Sequence, residues 1–178
     1  MHRRESFNGG ITRILTAIKD FALANPDIFF FYPYHPNPHV LDAVDKVGIA
    51  KIPNLFLSRP LLYKELVYLL LNADWVATDS GGIQEEAISL GKPVLVLRDK
   101  TERVEGLWTG LATLVGTNQE AIQKEMYTLM HDTPVAQIKT SSIYGTGYAA
   151  DMIVHIVQTK RNHAPHYDSV QKFYTATL

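Results

Sequence analysis

The residues best suited to chemistry are packed into one short stretch, Asp79-Ser80-Gly81-Gly82-Ile83-Gln84-Glu85-Glu86-Ala87. Trp75 to Thr78 before it are β-prone, and the pattern from Ile83 onward is helical, so the stretch reads as strand, tight glycine loop, helix. Gly81 and Gly82 are expected to let the backbone reach positive φ and let a ligand approach the main chain. The unpaired N–H groups opening the helix would face that loop, where the helix dipole favours an anion. Backbone amides with the Ser80 hydroxyl could thus cradle a phosphate or diphosphate; the structural alternative is a plain turn in a sheet. Glu85 and Glu86 are expected in the first helical turn, where a carboxylate suits the dipole, and the functional alternative is that one of them reaches a ligand hydroxyl. The guanidinium forks of Arg98 and Arg103 suit phosphate or polar sugar groups, against the alternative of an ion pair to Glu102 or Glu105.

These residues need a frame, and the chain supplies alternating strand and helix signals. Ile11, Ile14, Leu15, Ile18, Phe21 and Ala22 recur at helical spacing, and Asn25-Pro26-Asp27 ends that run. Ile28 to Tyr32 reads as a strand covered on both faces. Asn37 caps a helix with Pro38 at its first position, and Gly48 closes it. Asn54 to Leu57 is a short strand, and Tyr63 to Asn72 a nearly all-apolar helix expected to be buried on more than one side. Gly91 ends the helix of the central stretch, Val94 to Leu97 is a strand, and Arg98 to Leu107 a charged loop. Ala112 to Val115 is a further strand, Thr117 and Glu120 form a capping box, and Ala149 to Thr159 is the last helix. The pattern predicts an α/β fold, a Rossmann-like parallel sheet with helices on both faces, over residues 1–160, with a tail over 161–178. Ligands of such sheets sit outside the carboxyl ends of the strands, where the loops at 33–37, 58–63, 79–82, 98–103 and 116–117 fall.

Composition narrows the field. With 178 residues, 46% hydrophobic and 20% charged, the chain is an ordinary globular sequence of one domain and a tail. A net charge of −1 gives no electrostatic case for nucleic acid or an anionic membrane. The lack of cysteine excludes disulfides and thiolate chemistry. No apolar run is long enough to span a bilayer and Met1 to Glu5 has no signal-peptide core, so a cytoplasmic location is expected. His35, His39, His163 and His166 are too isolated for a metal site, and neither metal nor cofactor is expected.

The motif around Ser80, together with Ser89-Leu90-Gly91-Lys92-Pro93-Val94-Leu95-Val96-Leu97-Arg98-Asp99 and Thr101-Glu102-Arg103, closely resembles the non-hydrolysing UDP-N-acetylglucosamine 2-epimerases. His2-Arg3-Arg4-Glu5 and Tyr32-Pro33-x-His35-x-Asn37-Pro38 match two further motifs of that family. The resemblance covers residues 2 to about 158. It implies the C-terminal half of a GT-B-type fold, two Rossmann-like domains with a nucleotide sugar in the cleft between them. It implies that Ser80, Gly81 and Gly82 hold the diphosphate of UDP, that Glu86 binds ribose hydroxyls, and that Arg103 contacts the ligand. It gives His2 a catalytic role at the departing diphosphate, and Arg3 and His35 a place in a second, activating nucleotide-sugar site. Leu66 stands where bacterial relatives often carry a phenylalanine near the uracil, Val104 where proline is usual, and Lys100 where threonine is usual.

The implied reaction interconverts UDP-GlcNAc and UDP-ManNAc by anti-elimination of UDP to a 2-acetamidoglucal and re-addition. It needs acid–base residues on one side of the sugar and diphosphate stabilisation on the other. The family's acid–base carboxylates come from an N-terminal domain, so this chain is expected to supply only the nucleotide side. Its expected partners are a UDP-sugar, an N-terminal domain or split partner chain, and a second copy in a homodimer. In relatives a strand runs directly into the His-Arg-Arg-Glu motif, whereas Met1 precedes His2 here. The first, central strand is therefore expected to be missing, leaving a gap or borrowed pairing beside Trp75 to Thr78. Two alternatives remain: the nucleotide-binding half of a GT-B glycosyltransferase, against which the Thr-Glu-Arg and His-Arg-Arg-Glu motifs argue, and a non-catalytic UDP-binding remnant.

Overall fold

A computed structural model describes residues 6–132 and 143–159. His2, Arg3 and the 161–178 tail lie outside the described residues. The chain forms two compact units, Met1–Ile143 and Tyr144–Leu178. The second contributes helix α7, Ala149–Thr159, with the bounds its apolar pattern predicts.

The first unit alternates helix and strand. It runs α1 (Gly10–Ala24), β1 (Phe30–Pro33), α2 (Pro38–Val47), β2 (Leu55–Ser58), α3 (Tyr63–Asn72), β3 (Val76–Thr78), α4 (Gly81–Ser89), β4 (Val94–Val96), α5 (Val104–Trp108), β5 (Ala112–Leu114) and α6 (Gln119–Asp132). All ladders are parallel, as the interleaved helices require. The strands form two sheets, β1-β2 and β3-β4-β5, and no ladder joins β1 to β3 among the described residues. This agrees with a gap beside the β3 strand.

Helix α1 serves both sheets. Ile11, Leu15 and Ala22 pack with Val40, Val44 and Leu55, while Ile14, Ala17 and Phe21 pack with Leu95, Leu97, Val115, Ile122 and Met126. At the base of the gap, Phe30 and Trp75 meet edge to face with ring centroids 5.8 Å apart. Asn54 ties the β1 side to α1: its buried Nδ2 donates to the carbonyls of Ala22, Asn25 and Ile28 at 3.0, 3.1 and 2.7 Å.

Several local expectations change. Phe29 and Phe31 are 72% and 48% exposed, so β1 is not covered on both faces. Of α3, only Leu70 is buried, while Tyr63, Tyr68 and Leu71 are exposed. An apolar helix face is buried only where another element lies against it, and here the sheet is interrupted. The charged loop after β4 contains the short helix α5. Helix α6 is capped by Asn118, whose Oδ1 accepts from the Ala121 N–H at 2.9 Å. The Thr117 hydroxyl instead accepts from Arg13 at 3.0 Å.

Candidate functional site

The Ser80 region sits at the carboxyl end of β3, where α4 begins. Ser80 is the N-cap, extended at φ −86° and ψ 126°, and its side chain makes no capping bond. Its N–H donates to the Thr78 hydroxyl at 3.1 Å, and its carbonyl accepts the first helical bond, from Gln84 N–H at 3.1 Å. Helix geometry leaves the N–H groups of Gly81, Gly82 and Ile83 without an acceptor inside α4.

The two glycines act differently from the expected turn. Neither has positive φ; they are the first two residues of the helix. What matters is the space a Cβ would take. At Gly81 it would lie 3.3 Å from Cζ of Arg103 and 3.4 Å from one terminal nitrogen, so the bare glycine lets the guanidinium rest on the helix N-terminus. At Gly82 a Cβ would meet nothing within 4 Å, so that backbone is open to approach from outside.

Glu85 and Glu86 follow in the second turn rather than the first, because α4 starts two residues earlier than its pattern predicts. Dipole compensation therefore explains neither well. Glu85 takes the Arg103 guanidinium, its Oε1 accepting from Nε, with both side chains about one-third exposed. Glu86 points its Oε2 into a position shielded from water, with no hydrogen-bond partner. A carboxylate oxygen buried in that state costs free energy unless a donor is brought to it.

The arginine loop is also tied to α4 through the Thr101 hydroxyl. Thr101 Oγ1 donates to Oε1 of the buried Gln84 at 2.9 Å and accepts from Arg103 N–H at 3.1 Å. Arg98 is 4% exposed and bound by both carboxylate oxygens of Glu102, at 2.8 and 3.2 Å. Glu102 thus pairs with Arg98, and Glu85, not Glu102 or Glu105, pairs with Arg103. The family resemblance gives the ligand role to Glu86 and none to Glu85, Gln84 or Thr101. The only sequence signal for these ties was their presence inside the two motifs, since 17 residues separate Gln84 from Thr101.

The remaining candidates lie apart from this cluster. Leu66 lines a cavity of about 540 Å³ that also touches Thr78 and Ile83, at the gap between the sheets. His35 is exposed on the loop between β1 and α2, where Asn37 Oδ1 caps α2 by accepting from His39 N–H at 2.9 Å. Tyr32 on β1 has a buried hydroxyl without a hydrogen-bond partner. Burial, and secondarily the Asp79 carboxylate, hold its pKa well above the ordinary tyrosine value. Among the described residues, no group of three or more His, Asp and Glu side chains is placed to hold a metal. No described helix is long and apolar enough to cross a membrane.

Residues 1–158 match a family model described as UDP-N-acetylglucosamine 2-epimerase. The chain is 42% identical over 164 residues to the UDP-N-acetylglucosamine 2-epimerase of Campylobacter jejuni, covering 91% of the chain and 43% of that relative. It is 41% identical to the Escherichia coli K12 enzyme of the same name over 162 residues, with 90% and 43% covered. The structure of the Neisseria meningitidis UDP-GlcNAc 2-epimerase bound to UDP-GlcNAc superposes with a TM-score of 0.83 at 37% identity, over 88% of this chain and 43% of that one. Staphylococcus aureus MnaA, solved with UDP, gives 0.83 at 32% identity, over 92% and 45%. The chain therefore spans less than half the length of these relatives. The matched family model and the shared fold agree: the chain belongs to the UDP-N-acetylglucosamine 2-epimerase family and corresponds to its C-terminal part.

Proposed function

We propose that this chain is the UDP-gripping half of a UDP-N-acetylglucosamine 2-epimerase. The carrying observation is the convergence of the free α4 amides at Gly81 to Ile83 with the Arg103 guanidinium resting over Gly81. Helix-end amides and a guanidinium fork both recognise phosphate oxygens, and here they share one surface. Ser80 adds a hydroxyl to the diphosphate cradle. The shielded Glu86 oxygen is suited to accept from a ribose hydroxyl, which would relieve its unpaired state. Leu66 supplies apolar contact for the base. His2 stabilises the departing diphosphate, and Arg3 with His35 serves the activating nucleotide-sugar site.

Catalysis at C2 of the sugar then draws its acid and base from the portion of the enzyme this chain does not span. UDP-GlcNAc and UDP-ManNAc are the substrates of the assembled enzyme, which works in the cytoplasm as a homodimer. That two relatives were solved with UDP-GlcNAc and UDP supports this assignment of ligand. Titration calorimetry of the pure chain with UDP is expected to give weak, saturable binding that Glu86→Gln reduces. Incubation with UDP-GlcNAc alone is expected to yield no UDP-ManNAc. Absence of UDP binding would reject the assignment of the cradle, and turnover by the chain alone would reject the division of labour.

A further inference from the structure

Arg103 is held at both ends, and the two holds come from consecutive residues of α4. The buried Gln84 fixes the main-chain end: its Oε1 accepts from the Thr101 hydroxyl at 2.9 Å, and that hydroxyl accepts the Arg103 N–H at 3.1 Å. Glu85 fixes the far end, where its Oε1 accepts from Nε of the guanidinium. The plane of that group has a definite seat as well. A Cβ built on Gly81 would lie 3.3 Å from Cζ, 3.4 Å from Nη2 and 3.5 Å from Nε. A contact through the Nε–Nη2 edge would put Cζ farther away than the two nitrogens. Here Cζ is the nearest of the three, so the group lies face-on over the glycine.

These contacts use the face of the guanidinium and its Nε–H. The N–H groups of Nη1 and Nη2 have no hydrogen-bond partner among the described residues. An arginine that serves an ion pair does best by giving a carboxylate two parallel bonds. Arg98, in the same loop, does this: its Nη1 and Nη2 donate to the two oxygens of Glu102 at 2.8 and 3.2 Å. Arg103 gives Glu85 only Nε and keeps the Nη1–Nη2 edge, the fork that matches two phosphoryl oxygens, beside the free α4 amides. We propose that Glu85 is a positioning residue for anion recognition. Through Nε it fixes Arg103 flat on Gly81 and leaves the Nη1–Nη2 edge to a phosphoryl group of the ligand. Glu85 also carries a negative charge, which by itself repels an anion. The two effects have opposite signs, and substitution separates them. Glutamine keeps an acceptor for Nε and removes the charge, whereas alanine removes both.

The test titrates the full chain, Glu85→Gln and Glu85→Ala with inorganic pyrophosphate and with UDP, and follows the Arg103 Nε–H resonance by NMR. Glu85→Ala is expected to bind pyrophosphate about three- to tenfold more weakly than Glu85→Gln, the range for freeing one long side chain. Without ligand, the Nε–H should exchange with water at least about fivefold faster in Glu85→Ala than in Glu85→Gln. In an Arg103→Lys background, which keeps the charge and has no Nε–H, the two substitutions should bind alike. Equal pyrophosphate affinity of the two variants with Arg103 in place would overturn the proposal, because Glu85 would then act by charge alone. So would a difference that survives in the Arg103→Lys background, or an Nε–H that exchanges equally fast in both variants. The inference rests on the proposed phosphate grip at α4 but not on uridine. A chain that binds pyrophosphate with the expected difference and shows no preference for UDP would reject the nucleotide assignment alone, and pyrophosphate that fails to bind would overturn the positioning role as well.

Discussion

The two sheets of the first unit differ in how completely they are built. In the β3-β4-β5 sheet, β4 is buried along its whole length, at Val94, Leu95 and Val96, with a strand on either side. In the β1-β2 sheet, Phe29, Phe31 and Phe56 are exposed, and the α3 helix that leads out of it buries one residue. The candidate diphosphate grip, Ser80 to Gly82 with Arg103, is mounted on the three-stranded sheet. Leu66 and His35, proposed for the base and the activating site, belong to the incomplete side. The difference teaches that a helix N-terminus and the loop behind it can be fully formed on one sheet while the walls of a larger pocket on the other stay discontinuous.

Core truncation should separate the two sheets most sharply. Leu95→Ala is expected to cost about 2–5 kcal/mol in urea denaturation, because it empties a fully buried position in β4. Phe29→Ala, at a ring 72% exposed, is expected to change stability by no more than about 0.5 kcal/mol. Equal effects would mean that both sheets share one core. Asn54→Ala is next in size. It removes the donor shared by the carbonyls of Ala22, Asn25 and Ile28, the first buried and the other two partly so, and should cost about 1–3 kcal/mol. Hydrogen exchange should show the loss concentrated in β1 and β2, with β4 amides unaffected.

Gly82→Ala sharpens the ligand side of the contrast. The added methyl meets nothing within 4 Å and sits in a helix, so stability should hold or rise by up to about 1 kcal/mol. UDP affinity, measured by calorimetry, should fall, since the methyl stands where a phosphate would approach the amide. Unchanged affinity would move the ligand away from α4. Tyr32→Phe is the smallest change. The folded-state pKa of Tyr32 is raised, so the folded protein holds this proton after the unfolded chain has released it. Stability is therefore full below the ordinary value of 10.0 and declines as pH rises above it. Removing the hydroxyl should flatten that alkaline decline in pH-dependent melting, with little change at neutral pH.

Much of this was legible in the residues themselves. Asn37-Pro38 and Gly48 mark the ends of α2 by local chemistry, and the structure keeps both. The apolar run of α3 gave its bounds correctly but not its exposure, because exposure depends on what lies beneath a helix rather than on the helix. Gly81 and Gly82 were legible as positions without a Cβ, but not the reason: room for a guanidinium is set by the fold of a loop some twenty residues away. The Glu85–Arg103 and Gln84–Thr101 pairs are tertiary in the same sense. Asn118 displaced Thr117 as the cap because Arg13, from the first helix, holds the threonine hydroxyl.

The edge-to-face contact of Trp75 with Phe30 makes the junction between the sheets optically readable. The chain holds two tryptophans, and the other, Trp108, is 76% exposed. With Trp108→Phe, all indole emission comes from the mouth of the seam. Its wavelength then serves as a gauge of whether water or protein fills the space between the two sheets, readable in a cuvette.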